Sequence, residues 1–441
     1  MKKTLAVLLA MVIMVAMLTA CGTAAPAATG TAAPATEAPA TAAPEGKTIT
    51  VWAWDAKFNV AIMNDAAQRY QAEHPDVTVN VVEMAKADVE QKLNTALASG
   101  TTEGLPDIAL IEDYNAQKYI KSYPGEFSDL TSSINSSDFA AYKTQIMTID
   151  GKLYGVPFDS GVAGMFYRTD LLEAAGFKAE DLQNITWDRF IEIGKAVKEK
   201  TGKYMLGFQL SDGGLMRVMM QSAGSWYFND DGSVNIANNA VLKEAMETYK
   251  KINDSGIFKP TTSWDEWVGA INSGDAATIT TGVWIVGSIK AGTDQSGKWA
   301  VAPVPRLNAT GAKNASNLGG SSWYVLDKSA NRDAALDFLK TMYDGNMDFY
   351  QNILINQGAM GTYLPAQSGE AYAKTDDFFG GKAIYQDLSK WVGEIPAVSY
   401  GAYTYEADAA VMAQIDAFCK GSVTVDKALA DAQAQVEVQI G

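Results

Sequence analysis

Thr48-Ile49-Thr50-Val51-Trp52-Ala53-Trp54 alternates polar and apolar positions, and this alternation predicts a β-strand at the start of the foldable chain. Working outward, residues from Val60 to about Glu73 carry a helical pattern that His74-Pro75-Asp76 breaks, and Val77 to Val82 alternates again. Asp88 stands where it would cap a helix running to about Ser99, with Val89, Leu93, Ala96 and Leu97 on one face. Pro106-Asp107 then opens a short apolar strand, Ile108 to Ile111. Strand, helix, strand, helix, strand implies an α/β unit with a parallel sheet covered by helices. Ligands of such sheets bind beyond the carboxyl ends of the strands, where Trp54, Asp55, Glu112 and Asp113 fall.

Upstream of this unit, Lys2 and Lys3 precede an apolar run from Leu5 to Leu18 that ends in Leu18-Thr19-Ala20-Cys21. Residues 1–20 read as a secretory signal peptide, because the apolar run is too short for a membrane-spanning helix. The last four residues resemble the bacterial lipobox, which implies cleavage before Cys21 and a diacylglycerol on its thiol. Residues 22–46 are almost only Ala, Thr, Pro and Gly and have no apolar surface to bury. At roughly 3.1 Å per residue such a tether reaches about 75 Å. The expected location is therefore the outer face of a bacterial cell membrane, with residues 21–46 as lipidated cysteine plus tether.

Composition narrows the chemistry. The chain of 441 residues has 35 basic and 51 acidic side chains, a formal charge of −16, which repels phosphate backbones and makes nucleic acid an unsuitable partner. His74 is the single histidine, so His-based triads and multi-His metal sites are hard to build. With Cys21 lipidated, Cys419 has no partner and no intrachain disulfide is expected. Ten Trp and 19 Tyr instead supply flat apolar faces with polar rims. No metal or cofactor is expected.

Further along, Asp150-Gly151 between Met147-Thr148-Ile149 and Lys152-Leu153-Tyr154 signals a hairpin, and Tyr154–Asp159 continues extended. A second α/β region follows. It has helices near 169–175, 187–200, 240–253 and 264–272, and strands near Met205–Gln209 and Ala277–Thr281. Gly319–Val325 looks like a second crossing between the two regions and Tyr363–Ala366 like a third, with a helix near 331–344 between them.

Five segments occur in family order: Ile49–Asp55, Leu105–Ile108, Lys152–Asp159 with Tyr167–Leu171, Gly282-Val283-Trp284, and the Gly-Gly-Ser run at 319. Together they resemble the extracellular solute-binding proteins (family 1, maltose-binding-protein-like) of carbohydrate ABC importers, across essentially the whole mature chain. The N-terminal wording is most similar to the lactose and L-arabinose (or arabino-oligosaccharide) branch. The resemblance implies a type II fold of two α/β lobes, each a mostly parallel sheet flanked by helices, with the ligand cleft between them. Lobe 1 would comprise 47–156 and 321–362, and lobe 2 would comprise 157–320 and 363–441. It further implies a monomeric, non-enzymatic receptor that closes on a sugar by hinge bending and delivers it to permease subunits with their ATPase.

A sugar has apolar C–H faces and a girdle of hydroxyls, so its site needs aromatic plates and planar polar groups. Trp54 and Asp55 end the first strand, whereas Trp52 points to the opposite side and is left open between core and cleft. Trp284, in a Gly-x-Trp turn, is the foremost plate, and Trp323 and Trp226 are further candidates. Glu112 and Asp113 follow a buried-type strand, with Asp113 alternatively capping the next helix. Asp159 is a candidate hydroxyl acceptor near the hinge, and Tyr403 is the member of the Tyr400, Tyr403, Tyr405 cluster placed to reach the cleft. Arg168 reads as a structural partner of a carboxylate. Two other classes share these features: a glycoside hydrolase, which would need two carboxylates such as Glu112 and Asp159 flanking one bond, and a receptor of the same fold for iron, polyamine or peptide. The run Gly292–Trp299 has phosphate-loop spacing but ends in Trp where a hydroxyl must hold magnesium, and Asn229–Ser233 lacks the ligands of a calcium loop.

Overall fold

The computed structural model describes residues 46–209 and 212–440, so the expected signal peptide, Cys21 and nearly all of the tether lie outside the described residues. The strands, in chain order, are β1 (Lys47–Ala53), β2 (Val77–Glu83), β3 (Ile108–Glu112), β4 (Thr148–Ile149), β5 (Lys152–Leu153) and β6 (Val156–Pro157). They continue with β7 (Ala163–Arg168), β8 (Tyr204–Gln209), β9 (Phe258–Thr261), β10 (Ala276–Gly282), β11 (Trp299–Pro303) and β12 (Ser321–Val325).

Two five-stranded sheets core two lobes. The first has the order β2-β1-β3-β12-β6 and the second β11-β7-β10-β8-β9. In the first sheet β1 runs parallel to β2 and β3, as the alternating strand-helix pattern requires, and β12 returns antiparallel to β3. In the second, β8 is parallel to β9 and β10, while β7 is antiparallel to β10 and β11. Asp150 and Gly151 both take positive φ, 51° and 76°, and close the β4–β5 hairpin as their sequence requires.

The helices form where periodicity and caps coincide. Helix Trp187–Thr201 starts at Thr186, whose hydroxyl accepts from the Arg189 amide, and stops at Gly202 in the left-handed region. It buries Phe190, Ile193 and Val197. Asp88 is not a cap: its helix, Lys86–Ser99, starts two residues earlier behind Ala85. Asp88 sits in the first turn, where its charge still favours the helix N-terminus.

Three segments pass between the sheets. Asp159 pairs with Gly361 and Val162 with Asn317, and the Ser160 amide donates to the Met360 carbonyl at 2.7 Å. The approach is close: a Cβ at Gly161 would lie 2.2 Å from the Leu318 carbonyl oxygen, so only glycine fits there.

Candidate functional site

A cavity of about 460 Å³ opens between the two sheets, within the roughly 300–1,000 Å³ usual for small-molecule sites. Trp54 just beyond β1, Glu112 at the end of β3, and Gly319-Gly320 leading into β12 form one wall. Phe208 of β8, Thr280 and Thr281 of β10, and three tryptophans form the other.

Those tryptophans are placed by local rules. Helix Trp264–Asn272 begins at Ser263, whose hydroxyl accepts from the Glu266 amide, so Trp264 and Trp267 lie three residues apart on one face. Trp284 follows β10 in the turn Val283–Ile285. Ring centroids are 5.3 Å apart for Trp264–Trp267, 5.8 Å for Trp264–Trp284 and 6.4 Å for Trp267–Trp284. The Trp267 indole N–H donates to the Gly207 carbonyl and that of Trp284 to the Leu318 carbonyl, each at 2.8 Å. Both rings are thus held in place with their donors already used, and they line the cavity. Trp264 stays 48% exposed, an unusual position for so large an apolar surface.

The polar side of the cavity is equally organised. Glu112 accepts hydrogen bonds from Lys86 and from the Tyr405 hydroxyl. Arg217 donates to Asp212 at 3.2 Å and lies 5.0 Å from the Tyr114 ring centre. Burial opposes the Arg217 charge, but Asp408 and Asp212 outweigh it and keep the guanidinium protonated. Among the described residues, four buried atoms of the cavity lining have no hydrogen-bond partner: Asn59 Oδ1, Thr280 Oγ1, Thr281 Oγ1 and Arg217 Nε, the last 3.7 Å from Asp408. Such atoms are costly unless a ligand or solvent satisfies them, and a hydroxyl-rich molecule does so.

Of the residues singled out in the sequence, Trp54, Glu112, Asp159 and Trp284 come together on this cavity. The others go elsewhere. Trp323 is fully buried on β12 against Phe158 and Tyr343, because alternation turns it into the first lobe. Trp226 is buried against Tyr114 and Tyr400, with its N–H donated to the Thr404 hydroxyl at 2.9 Å. Asp55 is an exposed turn residue with φ 64°, and its carboxylate accepts the Lys57 and Phe58 amides. Tyr403 precedes helix Thr404–Cys419 and lies under Lys118, whereas Tyr405, in the first turn of that helix, reaches the cavity. Arg168 pairs with Asp170 through two bonds of 2.8 and 2.6 Å, as its structural reading requires. Trp52 faces a separate groove beside Lys92. Replacing Trp52 by alanine is expected to leave ligand affinity unchanged within about twofold in calorimetry.

Trp264, Trp267 and Arg217 are not singled out by the sequence reading, and Tyr405 takes the place in the cavity that it gives to Tyr403. Their signals were present: two tryptophans at helical spacing behind a capping serine, and one arginine within the apolar run Leu215–Met220.

Asp113 is fully buried behind the cavity and belongs to a node that ties the crossing segments together. The Lys143 ammonium, itself fully buried, donates to Asp113 Oδ2 at 2.7 Å, the Asp159 carbonyl at 2.7 Å and the Ser321 carbonyl at 2.8 Å. Asp159 Oδ1 accepts the Ser321 amide at 2.6 Å. Burial pushes the Asp113 carboxyl up from 3.8 to about 6, against the pull of Lys143 and Ser322. A raised carboxylate favours the folded state most below its unfolded value of 3.8, and that contribution is lost as pH rises through about 6. A carbon-detected NMR titration of Asp113 is expected to show its midpoint above the ordinary aspartate range; a midpoint below 3.8 would contradict the burial account.

The arrangement is that of a receptor cleft, in which two lobes face one another across aromatic plates and unsatisfied polar atoms. Residues 65–367 match the family of bacterial extracellular solute-binding proteins, and the chain belongs to that family. It is 56% identical over 392 residues to the lactose-binding protein of Rhizobium radiobacter, covering 89% of this chain and 93% of the relative. The arabinooligosaccharide-binding protein of Bacillus subtilis (strain 168) is 26% identical over 354 residues, 77% of this chain and 80% of the relative. Among solved structures, a family 1 extracellular solute-binding protein superposes with a TM-score of 0.77 at 19% identity, over 90% of this chain and 100% of that one. At that identity the likeness establishes the two-lobed fold. Membership makes the chain a non-catalytic component of an ABC transport system.

Proposed function

We propose that this chain is a lipid-anchored receptor that captures a neutral sugar between its lobes and hands it to an ABC importer. The observation that carries this reading is the meeting of three anchored or exposed indoles from one lobe with Trp54, Glu112 and four polar atoms that have no hydrogen-bond partner among the described residues, around one cavity. Indole faces cover the C–H faces of a pyranose, and the rim groups take its hydroxyls. Glu112 and Asp159, the pair a hydrolase would need, are both engaged with protein partners that hold them as acceptors. Binding by hinge closure then suffices, with no bond made or broken.

The lactose-binding relative makes lactose and other β-galactosides the first ligands to test, with arabinose-type sugars second. In a thermal-shift screen of the mature chain, one of these sugars at a hundredfold excess over its Kd is expected to stabilise the fold by about 2.7 kcal/mol. The reading fails if no sugar moves the melting midpoint while a peptide, polyamine or ferric salt does. The anchor is tested separately: a Cys21→Ala chain is expected to leave the membrane fraction and lose incorporation of a labelled fatty acid.

A further inference from the structure

Two lysines of the first lobe grip the opening turn of one helix of the second. Lys118 lies on helix Asp113–Ser122, which follows β3 directly, and Lys86 opens helix Lys86–Ser99, which packs on β1. Opposite them stands helix Thr404–Cys419, packed on helices Ala240–Asp254 and Val425–Ile440. Two bonds fix its start to the second lobe. The Trp226 indole N–H donates to the Thr404 hydroxyl at 2.9 Å, and the Tyr227 hydroxyl donates to Asp408 at 2.7 Å.

The Lys118 ammonium donates to Glu406 Oε1 at 2.7 Å and lies 5.6 Å from the Tyr403 ring centre. Next to it, the Tyr405 hydroxyl donates to the Glu112 carboxylate, and the Lys86 ammonium lies 5.4 Å from the Tyr405 ring centre. Glu112 and Tyr405 line the cavity, whereas Lys118 and Glu406 stand outside its lining. The Lys118–Glu406 bridge thus joins the lobes from a place where it does not meet a ligand. Its two residues are 288 positions apart in the chain, so only the facing of the lobes brings them together. When the lobes swing apart both charges return to water, and the free energy of the pair acts on the closed form alone.

We propose that Lys118 and Glu406 form an interlobe latch, a pair of positioning residues that favours the closed lobes and sets part of the ligand affinity from outside the cavity. The latch rests on the sugar reading for its ligand and goes beyond it, since that reading asks nothing of residues away from the cavity. The two side chains are 36% and 32% exposed, so dissolved salt screens them. A neutral sugar carries no charge to screen. Salt dependence of its binding that vanishes with the pair therefore belongs to the latch.

Calorimetry and stopped-flow kinetics on the mature chain, with lactose as the first probe, compare Lys118→Met, Glu406→Gln, the two combined, and the reversed pair Lys118→Glu with Glu406→Lys. Each single change is expected to weaken binding about threefold, the range of a part-exposed ion pair, through faster release. The combined variant is expected to be no weaker than either single one, and the reversed pair to regain most of the loss. Raising sodium chloride from about 50 to about 500 mM is expected to weaken the unaltered chain about threefold and to leave the combined variant unmoved. Unchanged affinity in both single variants, losses that add when combined, or equal salt dependence with and without the pair overturns the latch and leaves the sugar reading standing. A pair with a merely structural role would lower the melting midpoint without changing release or salt dependence. If no sugar binds, the sugar reading fails, and the latch is judged on the ligand-free chain by small-angle X-ray scattering. There the like charges of Lys118→Glu are expected to open the lobes and enlarge the radius of gyration; an unchanged radius overturns the latch as well.

Discussion

A chain carrying methionine in place of Lys143 is expected to lose about 3–5 kcal/mol of folding stability, the usual cost of removing one partner from a fully buried ion pair. The loss comes less from the missing attraction than from what remains. Asp113 would stay buried with its Oδ2 unpaired, and the Asp159 and Ser321 carbonyls would lose their shared donor. These groups sit on the segments that cross between the sheets, so the damage falls where the two lobes are joined. Urea denaturation of the ligand-free chain at neutral pH measures it. The sign of the pH effect is also fixed. With its folded-state carboxyl already pushed up to about 6, Asp113 is neutralised on acidification, so the deficit of the Lys143→Met chain is expected to shrink from pH 7 toward pH 5. Adding Asp113→Leu to Lys143→Met is expected to restore most of the stability, because the uncompensated charge is gone. A deficit under about 1 kcal/mol, or one that grows on acidification, would show that this node does not hold the crossings together.

Trp284→Ala is expected to weaken sugar binding by about 2 kcal/mol, roughly thirtyfold, in the range of a central aromatic anchor in an interface. Two consequences of the substitution add. The plate on the cavity wall disappears, and Trp264 and Trp267 lose the ring they lean on, at 5.8 and 6.4 Å. Trp284→Phe keeps an apolar face but loses the bond to the Leu318 carbonyl, and it is expected to fall between the two. Calorimetry on the same sugar measures all three chains. Affinity within threefold of the unaltered protein for Trp284→Ala would remove Trp284 from the site.

Much of the architecture could be read locally. Alternation at Lys47–Ala53 and Val77–Glu83, the apolar run at Ile108–Glu112, and the helical patterns near 187–200 and 264–272 depend on neighbours within a few residues, which is why they survive in the structure. Position along a strand pointed to Trp54 and Glu112, which line the cavity, and equally to Asp55 and Asp113, which do not. Trp54 and Glu112 lie at carboxyl ends of parallel strands, and Trp284 follows the end of β10. Trp264 and Trp267 carried a local signal as well, but a pair of tryptophans at helical spacing suits a buried face as readily as a ligand wall.

Composition and order by themselves determined that this chain makes α/β units rich in aromatic plates and short of histidine and cysteine, because period and residue type are local quantities. Only the tertiary structure decided which aromatics line the cavity. Trp226 and Trp323 look like Trp264 and Trp284 in sequence, yet the first two are enclosed by Tyr114, Phe158 and Tyr343, and the latter two line a cavity. Likewise Asp113 and Glu112 are adjacent in the chain, but Lys143, 30 residues on from Asp113, takes one into the interior and leaves the other at the rim. Burial is set by what packs against a side chain from distant segments, and no local pattern encodes that.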